Sequence, residues 1–144
     1  MSVAPSDAVL KLDAAALNAF LSKAFPEAGP QLPRVLEAEP GRVLVRQAFA
    51  SRALRPGGLI SGPTQMGLAD RAAYAVILAH IGLVEMAVTT SLTMHFLRGA
   101  KPGDLMAEAT LLKLGRRIAT VDVLLWTEAR ERPCGKATVA YAIP

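Results

Sequence analysis

The segment that most limits the fold runs from Arg55 to Ile81. A loop rich in glycine and proline, Arg55-Pro56-Gly57-Gly58-Leu59-Ile60-Ser61-Gly62, opens into a stretch from Pro63 to Ile81 whose only weak helix former is Gly67. Proline suits the first helical position, because the N–H it lacks has no intrahelical partner there. Ser61 or Gly62 then lies at or just before the cap. The side chains that follow are small: Gly67, Ala69, Ala72, Ala73, Ala75 and Ala79. A helix this slim and apolar needs other structure around most of its circumference. Asp70 breaks the pattern, since it shares a face with Met66, Ala73, Tyr74, Ile77 and Ile81 at three- and four-residue spacing. Its neighbour Arg71 points elsewhere on the helix. A half-buried carboxylate without a local partner is costly, so Asp70 is the first residue to ask about.

What could wrap such a helix follows it. Met86–Leu97 alternates, with Val88, Thr90, Leu92, Met94 and Phe96 on one face and Thr89, Ser91, Thr93 and His95 on the other. Asp104–Leu114, Arg117–Glu128 and Lys136–Ile143 read as three more strands. A turn over Arg98–Gly103, a tight turn with Gly115–Arg116 at its centre and a polar loop separate them. Before the helix, Asp13–Phe25 reads as an amphipathic helix capped by Asp13. Residues 26–33 form a linker, and Arg42–Ala50 is a strand. The economical solution is α+β: one curved antiparallel sheet, its last four strands a meander, curled around one long helix. A homodimer that continues the sheet would protect an open edge.

At 144 residues, 52% of them hydrophobic, the chain suits a single domain over 1–144, with a helical extension at about 8–30, and excludes disorder. The longest uncharged stretch, Ala72–Val84, is too short to span a bilayer, and the first residues lack the pattern of a secretory signal. The reading is a cytoplasmic protein that does not enter a membrane. The lone Cys134 rules out an internal disulfide or a cysteine-based zinc site. A net charge of +4 and few aromatics suit an anionic ligand better than nucleic acid. His80 and His95 have no partner at metal-ligand spacing and read as structural or solvated; no metal or cofactor is expected.

Gly62 with Leu68-Ala69-Asp70, Ala87-Val88-Thr89-Thr90-Ser91-Leu92, Phe96-Leu97-Arg98, Gly103-Asp104-Leu105 and Gly115-Arg116, in this order, resemble the hotdog-fold thioesterases of the phenylacetic-acid-pathway (PaaI) type. The resemblance covers roughly residues 42–144. It implies hydrolysis of an acyl-coenzyme A, often with an aromatic or medium-chain acyl group. It also implies active sites at a subunit interface, in homodimers that often pair into homotetramers. Where such proteins carry His-Gly-Gly eight residues before the acid, this chain has Ser61-Gly62-Pro63, and Arg55 replaces a side-chain amide six residues earlier.

The chemistry that follows uses few groups. The Gly62 N–H would polarise the thioester carbonyl as part of an oxyanion hole. Asp70 would activate water or attack the carbonyl itself. The resemblance gives Thr89 the task of holding the water. Arg55 and Ser61 would line the substrate site, and Arg98, Arg116 and Arg117 would meet the phosphates of coenzyme A. Read without the resemblance, Gly62–Pro63 is a helix start, Thr89 a strand former and the arginines solvated turns, while Asp70 is as much an acid satisfied at an interface as a base. A non-catalytic acyl-CoA or fatty-acyl binder on the same fold is the alternative function.

Overall fold

The computed structural model describes residues 8–144. Two α-helices, α1 (Ala14–Ala24) and α2 (Gly62–Ile81), accompany a six-stranded antiparallel sheet built from β1 (Arg34–Glu39), β2 (Arg42–Gln47), β5 (Val88–Phe96), β6 (Leu105–Leu114), β7 (Ile118–Trp126) and β8 (Gly135–Ala142). A two-stranded hairpin, β3 (Leu54–Arg55) and β4 (Leu59–Ile60), precedes α2. Gly57 and Gly58 turn it with φ of +99° and +78°, a backbone region that residues with a Cβ rarely occupy.

The sheet curls around α2 because of what its inner face carries. Val43, Val45, Ala107, Ala109, Ala119, Val121, Val123, Ala137 and Val139 are all fully buried against the helix side. The alanines among them let the sheet approach a helix that is itself alanine-rich. Burying the larger members, such as Val76, Ile77 and Leu78 of α2, contributes about 1.5–3 kcal/mol each. The fold is the expected α+β hotdog arrangement.

α1 closes one end. The Asp13 carboxylate accepts the Ala16 N–H at 2.8 Å and caps the helix as its sequence position implies. Leu17 and Leu21 are its buried residues. The Asn18 amide pairs with both backbone groups of Val35, each at 2.8 Å. In the last turn of α2, His80 is buried. The Gly41 N–H donates to its Nε2 at 2.9 Å, and Nδ1 donates to the Val76 carbonyl at 2.7 Å. His80 is thus structural, a pin between the β1–β2 turn and α2.

Four expectations require correction. β1 was not anticipated, because only Val35 of its six residues is buried and the rest are largely exposed or charged. That is how an edge strand looks, and Pro40–Gly41 was the available turn signal. The strand after it stops at Gln47, short of Phe49. The last four strands are not a meander: the order is β1-β2-β6-β7-β8-β5, so β5 crosses to the far edge and pairs with β8, while β6 joins β2. β6 alternates buried and half-buried positions, as a central strand must, whereas β5 is exposed along most of its length. The β6–β7 turn centres on Arg116–Arg117, with the Gly115 N–H donating to the Ile118 carbonyl at 2.9 Å and Gly115 flanking it.

Candidate active site

At its N-terminus α2 begins one residue earlier than proline placement suggests. Ser61 is the N-cap, its Oγ accepting the Thr64 N–H at 3.3 Å and lying 2.8 Å from the Thr64 hydroxyl. The Gln65 N–H donates to the Ser61 carbonyl, and Pro63 has no N–H. Gly62 is therefore the residue of this first turn whose N–H has no acceptor among the described residues. It lies at the positive end of the helix dipole. The space beside it is an open cleft of about 440 Å³ that also takes in Arg55, Gln65, Phe96 and Arg98. A side chain at Gly62 would put its Cβ 3.2 Å from the Phe96 ring, so glycine here keeps room at the donor.

Two turns along the same helix, Asp70 is held by two hydroxyls. Thr89 Oγ1 donates to Asp70 Oδ1 at 2.6 Å, and the Tyr141 phenol reaches the same oxygen at 2.8 Å and the Asp70 carbonyl at 3.1 Å. No protein group among the described residues bonds Oδ2. Tyr141 is buried and stacks on Tyr74, ring centroids 6.0 Å apart, one helical turn beyond Asp70. Burial pushes the Tyr141 phenol well above its usual range, so it remains a neutral donor.

Thr89 reaches Asp70 because strict alternation fails. The register shifts between Thr89 and Ser91, leaving Thr90 as a bulge whose hydroxyl bonds the Ala140 carbonyl at 3.2 Å. Thr89 faces Tyr141 while Leu92 faces Val139 and Met94 faces Ala137, all core-side positions. The expected separation of Thr89 from Leu92 and Met94 is thus overturned: the bulge turns Thr89 inward onto the helix.

The helix wrapped by a curved antiparallel sheet that carries these groups has its counterpart in known proteins. Residues 57–134 match the family model of the thioesterase superfamily. A crystal structure of a candidate thioesterase from Silicibacter sp. shares 39% identity, with 94% of each chain covered and a TM-score of 0.86. The chain belongs to the thioesterase superfamily. Zebrafish thioesterase superfamily member 2 (20% identity, 93% of this chain and 100% of that one, TM-score 0.81) has the same fold. So does the phenylacetic acid degradation protein PaaI of Thermus thermophilus (24% identity, 83% and 99%, TM-score 0.71). Among curated proteins none matches the sequence.

The remaining residues of this thioester hydrolase fall into place unevenly. Arg55 and Arg98 share the Gly62 cleft, and Arg98 Nε is tethered to the Pro133 carbonyl at 3.0 Å. Ser61 spends its hydroxyl on the helix cap. Arg116 and Arg117 line a separate cleft at the β6–β7 turn. Asp70 and Gly62 lie apart: they are eight positions from each other on the helix, about 12 Å along the axis. Tyr141 was missed, yet a signal existed. The alternation of β8 places it with Ala137 and Val139 on the core face, and a buried phenol needs a hydrogen-bond partner. Among the described residues no group of His, Cys, Asp and Glu could hold a metal, and no helix is long and apolar enough to cross a membrane.

Proposed function

We propose that this thioesterase hydrolyses an acyl-coenzyme A to the free acid and coenzyme A, with each active site shared between two subunits. The observation that carries the reading is the Asp70 carboxylate, fixed through Oδ1 by Thr89 and Tyr141 with Oδ2 unengaged. It sits on the same helix as the unpaired Gly62 N–H but too far from it for one thioester to meet both. A second copy running alongside would bring Asp70 of the partner subunit to Gly62. The exposed edge strand β5, with Val88 and Phe96 each about half exposed, and Met66 between the two half-sites on α2, offer the surface for such a dimer. Pairing of dimers into a tetramer accords with it.

In the reaction the thioester oxygen accepts the Gly62 N–H, which stabilises the charge that develops there. Asp70 Oδ2 takes a proton from water, the water oxygen bonds to the carbonyl carbon, the carbon–sulfur bond breaks, and the proton passes to the coenzyme A sulfur. Thr89 and Tyr141 keep the carboxylate aimed, and Ser61 holds the turn that presents Gly62. Arg55 and Arg98 face the same cleft as the donor, and with Arg116 and Arg117 they are suited to phosphate oxygens. The acyl group is aromatic or of medium length, the chain is one hotdog domain with a helical extension over about 8–30, and the protein works in the cytoplasm.

Mixed dimers test this. Asp70→Asn should lower kcat about a thousandfold. Gly62→Pro deletes the donor while suiting a first helical position once the Phe96 ring gives by a few tenths of an ångström, and Ser61 already has the extended backbone (φ −67°, ψ 153°) that a following proline requires. Each variant alone should be nearly inactive, and the mixed dimer should recover about one working site in two. Full activity of Asp70→Asn, or no recovery in the mixed dimer, overturns the shared site. Tight binding of acyl-CoA without release of free thiol in the parent protein would leave the binder in its place.

A further inference from the structure

A second cavity opens on the other side of the first turn of α2. It measures about 450 Å³, within the size range of small-molecule sites. Much of its wall is small and apolar, including Ala50, Ala53, Pro63 and Gly67, and Gly67 carries no atom into it. Pro63 and Thr64 border it, so it begins one residue from the Gly62 donor. Its polar members are the Gln31 and Gln47 amides, the Thr64 hydroxyl and two guanidinium groups, Arg71 and Arg52, and no carboxylate lines it among the described residues.

Arg71 is the unusual member. Its guanidinium lies 3.8 Å over the ring of Phe25, the residue that ends α1. That stacking occupies the face of the group and leaves its in-plane N–H donors to find acceptors. Nη1 is buried without a hydrogen-bond partner, and Arg71 makes no ion pair among the described residues. The adjacent Asp70 forms no ion pair with it, although only Asp70 Oδ1 is taken up, by Thr89 and Tyr141. Burial lowers the Arg71 pKa, opposed by the nearby phenol of Tyr141 and by Asp70. A partly desolvated cation without an anion is costly, and this one borders a space of acyl-group size beside the reacting carbonyl.

We propose that this cavity receives the acyl group and that Arg71, assisted by Arg52, binds a carboxylate at its far end, so that the favoured substrates are coenzyme A monothioesters of dicarboxylic acids. The inference rests on the acyl-CoA reading and narrows its medium-length alternative to acyl groups that end in a second carboxylate. It divides the labour around the helix start: Arg55 and Arg98 on the Gly62 side face the coenzyme, and Arg71 and Arg52 on the Pro63 side face the acid. Part of the wall comes from residues 28–53, outside the segment 57–134 that matches the family.

The test measures binding to the Asp70→Asn protein by calorimetry, so that it does not depend on turnover. The probes are adipyl-CoA and hexanoyl-CoA, equal in chain length and different in the terminal carboxylate. Adipyl-CoA should bind at least tenfold more tightly. Adding Arg71→Gln should bring the two affinities together by weakening adipyl-CoA alone, and Arg71→Lys should restore part of the preference. A thermal melt confirms that each variant is folded; if Arg71→Gln is not, Arg52→Gln should halve the preference or more. Equal affinities in the Asp70→Asn protein, or a preference that Arg71→Gln leaves unchanged, overturn the proposal. Failure of the acyl-CoA reading looks different: neither thioester is hydrolysed by the parent protein, whatever their order of binding.

Discussion

The two halves of α2 share one backbone and do opposite things. From Ala72 to His80 every residue is buried, and the helix is a core element whose circumference is covered by sheet, α1 and the β1–β2 turn. From Gly62 to Asp70 the burial is interrupted: Pro63, Met66 and Gly67 are exposed and Asp70 is half-buried. The buried half lets the exposed half hold a free N–H and a carboxylate in fixed positions, since groups on a packed helix move less than groups on loops. The chemistry sits where the sheet stops covering the helix, and that boundary falls at the open edge β5.

Breaking the buried half should have the largest effect. Ile77→Ala removes a fully buried side chain and should cost about 2–5 kcal/mol in chemical unfolding. A cost near zero would mean that the sheet does not close on the helix there. Tyr141→Phe works at the junction of the two halves. It should lower kcat about 10- to 100-fold, which corresponds to about 1.4–2.7 kcal/mol, with KM little changed. A fall in stability with unaltered kcat would make Tyr141 a purely structural residue. The same variant carries a pH signature. The folded-state pKa of Tyr141 is raised by burial, so its contribution to stability is complete below the unfolded value of about 10 and is lost as pH rises above it. Tyr141→Phe should flatten that part of the stability profile.

Smaller effects should come from the periphery of the exposed half. Replacing Arg98, Arg116 and Arg117 together by alanine should raise KM about tenfold, by more than it lowers kcat, and added salt should shrink the difference from the parent. Unchanged affinity for coenzyme A would acquit all three. Smallest is Gly67→Ala. Nothing lies within 4 Å of the added Cβ, so the change should stabilise the protein by about 0.4–1 kcal/mol. Destabilisation instead would show that this stripe packs against another subunit.

How much of this was legible before folding varied with the range of the interactions. α1, its Asp13 cap and α2 follow from local capping and periodicity. β6, β7 and β8 follow from alternation, because their inner positions are apolar apart from the Tyr141 hydroxyl. β1 was illegible, since an edge strand with one buried residue has almost no pattern to read. The partners of Asp70 were half legible: the acid stood out as the polar exception on its helix face, but Thr89 and Tyr141 lie 19 and 71 residues away.

The sequence by itself determined the long slim helix, the acid upon it, the glycine before Pro63 and the presence of a sheet to wrap them, because each depends on residues a few positions apart. Only the tertiary structure decided that β5 takes the far edge, that a bulge at Thr90 turns Thr89 inward, that a phenol from the last strand holds the acid, and that Arg71 stacks on Phe25 beside a cavity with no counter-ion among the described residues. Those outcomes depend on which strand pairs with which and in what register. A single-residue slip reverses every side chain of a strand, and nothing in a strand's own sequence fixes which neighbour it meets.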